Sequence, residues 1–326
     1  MNTTLPAVSD NSASRRAGVV AVHSVNRFVF SVPDLAEAEA FYRAFGLDVR
    51  RDGKRLDLYT IGHPHCWAQV VASGAPKRLE YISFGCFADD LVPLRDRIAR
   101  AGCACAPHPL SDGQGLWLCN PDGIPLQVLV TPKVSPSAKT VHRPRPPVPP
   151  GHGAAPNRSA NARVQPRALS HVLFFTPDVS RMLGFLQDLL GLRLSDRSGE
   201  LIAFLHTPHG SDHHLVAFAK SQAPGLHHSS WDVGSLDEVG SGAEQMRAAG
   251  HTRGWGLGRH VLGSNYFHYV RDPWGSYAEY TFDIDFVPAD LDWPAGDHPA
   301  HDSLYVWGPP VPEDFISNPE THAPSA

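Results

Sequence analysis

The strongest constraint on this chain is an internal repeat. The stretches 25–131 and 168–287 align with each other, and each begins with an alternating apolar run, then Pro-Asp, then a helical pattern. A second strand and helix follow in each half, and each half closes with two strands around an Asn/Asp-Pro-x-Gly turn. Glycines end the predicted helices at Gly46, Gly102, Gly191 and Gly250. A period this long indicates duplicated modules and not a solenoid.

The repeat predicts an α+β fold built from paired βαβββ modules, the arrangement of the glyoxalase-like folds. Each half contains two modules, so each is expected to form an incomplete, curved barrel of eight strands around a cavity, with helices outside. A proline-rich segment with little apolar periodicity separates the halves and is predicted to be an extended spacer. The tail is expected to pack beside the mouth of the second barrel. The predicted division is a disordered segment 1–24, a first domain 25–131, a linker 132–167, a second domain 168–287 and a tail 288–326.

Composition excludes several classes of protein. Lys and Arg number 28 against 33 Asp and Glu, a net charge of −5, which argues against a nucleic-acid partner. No apolar run reaches the roughly 18 residues of a membrane span, so a soluble, cytoplasmic protein is expected. The five cysteines show no paired C-x-x-C framework. Histidines are numerous, but those in the polar tail, such as His298, lie where a site is not expected.

The two halves differ in chemistry at three aligned positions. The second half has two imidazoles and a carboxylate there, which together form a facial set that leaves open positions on divalent iron. The first half has two amides and a phenol, which bind such an ion poorly. The second-half residues are His171, His228 and Glu279, and the first-half residues aligned with them are Asn26, Tyr81 and Gln127. The pattern predicts one metal site, in the second half.

The segment from His260 through Tyr269 and the Asp272-Pro273-x-Gly turn to Glu279 carries a resemblance to a known family. It resembles the signature of the two-domain type I extradiol ring-cleavage dioxygenases of the vicinal oxygen chelate superfamily, such as catechol 2,3-dioxygenase and 2,3-dihydroxybiphenyl dioxygenase. The likeness covers both halves. In that family the first domain has usually lost its metal ligands, in agreement with the differences between the halves.

The resemblance implies that His171, His228 and Glu279 bind Fe(II), or less often Mn(II). A catechol chelates through both oxygens while O2 takes a third position, so the protein supplies three ligands on one face. His227 is the alternative to His228. Strand alternation sends the two side chains to opposite faces, and the family's ligand directly precedes a strand that reads Ser-Ser-Trp here. We therefore choose His228.

The resemblance also implies roles for three further side chains. His214 matches the histidine that acts as acid and base on the oxygen intermediate, and an imidazole with an ordinary pKa near 6.5 suits that role. His213 is its rival, because the spacing to the second ligand is about one residue shorter than usual. Tyr269 and His260 resemble the residues that hydrogen-bond the catechol oxygens.

The activity implied is extradiol (meta) cleavage of a catecholic substrate, with both atoms of O2 incorporated, in the breakdown of aromatic compounds. The resemblance further implies a symmetric homo-oligomer. Two alternatives come from the same superfamily. A glyoxalase-like lyase or isomerase usually takes four ligands from two modules and rarely carries the His260 and Tyr269 pair. A small-molecule-binding resistance protein generally lacks the metal triad and is commonly half this length.

Overall fold

The computed structural model describes residues 13–143 and 147–322. The first half forms two successive modules, each opening on a long strand followed by a helix. Their elements are β1 (Val22–Val32), α1 (Leu35–Phe45), β2 (Asp48–Asp52), β3 (Arg55–Tyr59), β4 (Ala68–Ala72), β5 (Arg78–Cys86), α2 (Leu91–Ala101), β6 (Leu116–Cys119) and β7 (Pro125–Val130).

The second half repeats this order and adds short strands from its loops and from the tail. Its elements are β8 (Ala168–Thr176), α3 (Val179–Leu190), β9 (Arg193–Ser198), β10 (Ile202–His206), β11 (Ser211–Asp212), β12 (Val216–Lys220), β13 (Gly225–Asp232), α4 (Leu236–Ala248), β14 (Gly254–His260), β15 (Tyr266–Arg271), β16 (Tyr277–Phe282), β17 (Phe286–Val287), β18 (Gly296–Asp297) and β19 (Tyr305–Trp307).

Each half is one curved sheet of two modules. The first has the strand order β2-β3-β4-β1-β5-β7-β6, and the second has β18-β9-β10-β12-β8-β13-β16-β15-β14-β19. In every module the last strand runs parallel to the first, as in the pairs β1 with β4 and β13 with β16. The fold class is confirmed. The first sheet has seven strands, however, because the expected eighth is reduced to one bridge between Ala104 and Leu118.

Local chemistry explains the helix starts and turns that the sequence predicts. The Asp34 side chain caps α1 by accepting hydrogen bonds from two backbone N–H groups, and the Asp178 side chain caps α3 by accepting one, from Arg181 N. Both helices end at a glycine in the left-handed region, with φ 104° at Gly46. In the two Asn/Asp-Pro-x-Gly turns, one side-chain oxygen of Asn120 and one of Asp272 each accept hydrogen bonds from two backbone N–H groups. The predicted boundaries of these elements are confirmed.

The helices of one half pack against the helices of the other half, so they do not lie free on the outside of the molecule. The α1 helix contacts α4, and α2 contacts α3. The Phe45 ring stacks on Tyr280 with centroids 3.9 Å apart, and the Tyr280 hydroxyl donates to the Phe45 carbonyl. One apolar core therefore runs through both halves. Among the described residues, none of the helices is long and apolar enough to cross a membrane.

The segments outside the two sheets are attached more closely than the sequence suggests. The β1 strand begins at Val22, inside the predicted disordered segment, and Ser14 donates to the His209 carbonyl; residues 1–12 of that segment lie outside the described residues. The linker, described apart from residues 144–146, is also attached: Ser135 N donates to the Ser24 hydroxyl of β1, and Val164 N donates to Gln245 of α4. The tail, described to residue 322, adds β18 and β19 to the second sheet.

Candidate metal centre

Strand register brings the three predicted ligands to one face of the second sheet. Ser230 on β13 pairs with His171 on β8 and with Glu279 on β16. His228 precedes Ser230 by two residues, so its side chain leaves the same face. The strand order β8-β13-β16 therefore places residues distant in sequence around a single point.

The ligand atoms converge closely. His171 Nε2 lies 3.2 Å from His228 Nε2 and 3.3 Å from Glu279 Oε2, and His228 Nε2 lies 3.6 Å from the same carboxylate oxygen. Glu279 is fully buried, and its Oε2 has no hydrogen-bond partner among the described residues. A buried, unpartnered carboxylate oxygen is costly unless a cation or donor compensates it. Two neutral imidazoles and a carboxylate around one point therefore fit a divalent metal.

His228 has the tautomer that a ligand needs. The Phe315 carbonyl can only accept, so His227 Nε2, 2.9 Å away, carries a hydrogen. His227 Nδ1 is then an acceptor for the Nδ1–H of His228, and the Nε2 lone pair of His228 faces the other ligand atoms. Burial lowers the pKa of His228 well below its usual range, which keeps the ring neutral. His227 points to the tail instead.

A second hydrogen-bond chain holds His171. The Ser170 hydroxyl donates to Asp212 Oδ2 at 3.1 Å, and its oxygen lies 3.3 Å from His171 Nδ1. The oxygen is therefore placed to accept the Nδ1–H hydrogen, which leaves Nε2 for a metal. Glu279 is held through its other oxygen, Oε1, which accepts from the Asn265 amide at 3.2 Å.

His260 and Tyr269 form a hydrogen-bonded pair beside the ligands. His260 Nδ1 lies 2.8 Å from the Leu304 carbonyl and so carries a hydrogen, which makes Nε2 the acceptor for the Tyr269 hydroxyl at 2.9 Å. Tyr269 pairs with Glu279 across the sheet. Burial, followed by the nearby Glu279, raises the pKa of Tyr269 well above its usual range, so the phenol stays protonated.

His214 and His213 are both buried, but they face different surroundings. The His214 ring lies 4.0 Å from the His171 ring and lines the cavity beside the metal ligands. His213 turns away, and its Nε2 lies 2.8 Å from Asp196 Oδ2. Burial, with a smaller contribution from His171, lowers the pKa of His214 well below its usual range. The neutral ring is the form that can accept a proton.

All of the predicted site residues except Glu279 line one cavity of about 260 Å³. His171, His228 and His214 form part of its wall, and much of the rest is apolar. The tail closes one side, in agreement with its predicted position beside the mouth. The apolar wall consists of Leu173, Leu201, Ile202, Phe204, Ala219, Leu262, Ala300, Leu304, Phe315 and Ile316.

The first half has no equivalent ligand set among the described residues. Ser83 takes the place of Ser230, and it pairs with Gln127 on one side and with Arg27 on the other. The alignment of Asn26 with His171 is therefore wrong by one residue. Asn26 matches Ser170 instead, since each is the bulged residue of its strand, and Arg27 and His171 each lie six residues before the Pro-Asp pair of their half. Arg27 is a permanent cation and cannot ligate a metal.

The other two first-half residues hold structural contacts. Tyr81 packs against Trp117 with ring centroids 5.2 Å apart. Gln127 donates to the Gln114 carbonyl at 3.0 Å. Sequence reasoning missed several residues that support the second-half site, because nothing in their local pattern sets them apart. These are Ser170, Asp196, Asp212, His227, Asn265 and Phe315.

Comparison with known proteins places this geometry in a family. Residues 168–280 match the model of the Glyoxalase/Bleomycin resistance protein/Dioxygenase superfamily. Over 301 residues the chain is 53% identical to metapyrocatechase 2 of Cupriavidus necator, covering 92% of this chain and 93% of that protein. The chain belongs to the two-domain extradiol dioxygenases of the vicinal oxygen chelate superfamily.

A more distant relative and a solved structure are similar to most of the chain. Biphenyl-2,3-diol 1,2-dioxygenase of Paraburkholderia xenovorans is 26% identical over 306 residues, covering 89% of this chain and 95% of that protein. Among solved structures, the Mn(II)-bound glyoxalase from Novosphingobium aromaticivorans is 26% identical with a TM-score of 0.70, covering 90% of this chain and 95% of that chain. The predicted resemblance to extradiol dioxygenases is confirmed.

Proposed function

We propose that this protein is an extradiol dioxygenase that cleaves a catecholic ring with O2, using Fe(II) held by His171, His228 and Glu279. The observation that carries the proposal is the convergence of these three side chains, with a buried carboxylate oxygen left unpartnered, beside a largely apolar cavity that His171 and His228 line. The names of the relatives, metapyrocatechase 2 and biphenyl-2,3-diol 1,2-dioxygenase, support the same substrate class.

His171, His228 and Glu279 would hold the iron, which would supply a site for a chelating catechol and for electron transfer from the ring to O2. The protein's contribution is to position and to move protons. Tyr269 and His260, already bonded to each other, are placed to hydrogen-bond a catechol oxygen. His214 lines the same cavity, with its ring 4.0 Å from the His171 ring, and supplies a base that can take a proton and return it.

The cavity wall favours an aromatic ring over a charged substrate. Phe204 lies 4.9 Å from His214, ring centroid to ring centroid, and Phe315 lies 4.9 Å from Tyr269. These aromatic faces and the aliphatic side chains between them exclude water from the reacting atoms, which strengthens each hydrogen bond in the site. The cytoplasmic location and the homo-oligomer stay predictions.

The competing function is that of a glyoxalase-like isomerase or lyase, which the 26% identical Mn(II)-bound glyoxalase structure favours. In this chain the candidate ligands all come from the second half, and the first-half positions carry Arg27, Tyr81 and Gln127. Three ligands leave space for both catechol oxygens and O2, which supports the dioxygenase.

The deciding experiment combines metal analysis with oxygen uptake. Protein purified anaerobically is analysed for iron, manganese and zinc, then mixed in air with a panel of catechols while O2 and the yellow ring-fission absorbance are recorded. We expect close to one Fe(II) or Mn(II) per chain and one O2 consumed per ring opened. An isomerase or lyase consumes no O2, so a metal-loaded protein that takes up none with any catechol overturns the proposal. Full activity with zinc would do the same.

A further inference from the structure

A line of hydrogen bonds leads from the molecular surface to His214. His298 Nε2 in the tail lies 2.8 Å from Asp196 Oδ1, and Asp196 Oδ2 lies 2.8 Å from His213 Nε2. His213 Nδ1 in turn lies 3.0 Å from His214 Nδ1. Asp196 and His213 are buried, whereas the His298 side chain is 37% exposed. No sequence pattern connects these residues, and His298 lies in the polar tail, where a site is not expected.

Asp196 is held as a carboxylate by several donors. Besides the two histidines, it accepts from the Gly296 backbone N–H at 2.8 Å and from the Trp293 indole at 3.3 Å. Burial alone would raise the pKa of Asp196, but the hydrogen bonds from His213 and His298 outweigh it and lower the pKa. Donors face both oxygens, so neither oxygen position suits an amide –NH2 group.

We propose that Asp196 and His213 are positioning residues that fix His214 in its Nδ1–H tautomer, with the Nε2 lone pair left for the substrate cavity. The proposal rests on the proposed function, in which His214 is the base. An ionised carboxylate only accepts, so His213 carries its hydrogen on Nε2. His213 Nδ1 is then an acceptor, and the facing nitrogen of His214 must be the donor.

This arrangement prepares His214 for proton transfer before any substrate enters. A histidine in the opposite tautomer would present an N–H to the cavity and could not accept a proton there. In a catalytic triad a carboxylate orients the catalytic imidazole directly. Here the His213 imidazole stands between the Asp196 carboxylate and the His214 imidazole. It also explains why two adjacent histidines are both buried. His214 lines the cavity, and His213 connects His214 to Asp196 through hydrogen bonds.

The first test measures the tautomer directly. In protein labelled with 15N-histidine and loaded with diamagnetic Zn²⁺, long-range 1H–15N spectra distinguish the Nδ1–H and Nε2–H forms. His213 and His214 are assigned from the spectra of His213→Gln and His214→Gln. We expect Nδ1–H on His214 and Nε2–H on His213 in the wild-type protein. An Nε2–H form of His214 overturns the proposal.

The second test is Asp196→Asn, with Asp297→Asn as the matched control. Asp297 is a neighbouring carboxylate that accepts from the Gly199 N–H and whose side chain is 58% exposed. We expect Asp196→Asn to shift His214 toward Nε2–H and to lower kcat about 10- to 100-fold, with KM within about twofold and metal content unchanged. Asp297→Asn should match the wild-type protein.

The outcomes separate the two proposals. If wild-type protein consumes no O2 with catechols, the proposed function fails, while the tautomer measurement still tests the positioning role. If wild-type protein is active but Asp196→Asn leaves both the tautomer and kcat unchanged, the positioning role fails and the function stands. An equal loss in Asp297→Asn would show a general structural effect, and it would also overturn the positioning role.

Discussion

The two halves of the molecule offer the same backbone arrangement with different side chains. In the second half, Ser230 lies between His171 and Glu279, whereas in the first half Ser83 lies between Arg27 and Gln127. The strand order around these serines is the same in the two sheets. The fold therefore supplies a place where three side chains meet, and the identity of those side chains decides whether a metal binds there.

The halves also differ in how the site is supported. Each candidate ligand of the second half contacts a polar partner that leaves its inward atom free: Ser170 for His171, His227 for His228 and Asn265 for Glu279. In the first half, Asn26 donates to Ser83 at 3.4 Å, whereas Arg27 Nε is buried without a partner among the described residues. Supporting hydrogen bonds are part of a metal site, because they set tautomer and orientation.

The largest expected effect comes from removing a ligand in the second half. His228→Ala should lose the metal and all measurable turnover, because two remaining ligands cannot complete the facial set. His227→Ala should keep the metal, since His227 faces Phe315 instead. Elemental analysis of both purified variants is the measurement. Metal lost from His227→Ala but kept by His228→Ala would assign the ligand to His227.

Next in size is the loss of the base. His214→Gln should lower kcat by roughly 10²–10⁴ while leaving metal content and catechol affinity nearly intact, because an amide cannot exchange a proton near pH 7. Steady-state oxygen consumption, paired with metal analysis of the same sample, tests this. If His214→Gln loses less than about tenfold and His213→Gln loses more, His213 is the base.

The third prediction concerns acid stability. His206 in the second half and His23 in the first are buried, and burial lowers their pKa to about 3 and about 4. Each is neutral in the folded protein but takes a proton on unfolding below its ordinary value near 6.5. The free energy of unfolding is therefore unaffected by these two groups above pH 6.5. At pH 4 each of them lowers the free energy of unfolding by about 3 kcal/mol.

Urea unfolding of metal-free protein at several pH values measures this loss. His206→Gln should flatten the pH dependence relative to wild type, because the group that titrates is gone. The solvent-exposed His301 provides the control, and His301→Gln should leave the dependence as it is. A His206→Gln variant with the wild-type pH slope would show that His206 does not titrate between the two states.

A smaller effect is expected at the substrate-orienting pair. Tyr269→Phe removes the hydroxyl that donates to His260 and leaves the ring packing in place. One hydrogen bond in a buried site corresponds to about 1.5 kcal/mol, or about tenfold in kcat/KM. The metal content should not change. A loss of metal from this variant would mean that Tyr269 supports the ligands and not the substrate.

The smallest effect should come from the first half. Gln127→Ala removes the hydrogen bond to the Gln114 carbonyl, so it should cost about 1 kcal/mol of stability and change kcat by less than about twofold. Thermal unfolding and oxygen consumption measure the two quantities. Turnover lost at unchanged folding and metal content would reveal a functional site in the first half.

The sequence by itself determined much of this protein. The repeat fixed the number and kind of modules, Asp34 and Asp178 marked helix starts, and the paired Asp/Asn-Pro-x-Gly turns marked hairpins. These features depend on residues close together in the chain. The candidate ligands could also be predicted, because two aligned halves show which positions change their chemistry.

Only the tertiary structure decided the features that depend on register and on distant segments. The choice between His227 and His228 rests on where each ring points, which is set by Phe315 in the tail. The link from Asp196 to His214 joins side chains from three separate segments. Such contacts form only after the chain has folded, because their partners share no sequence pattern.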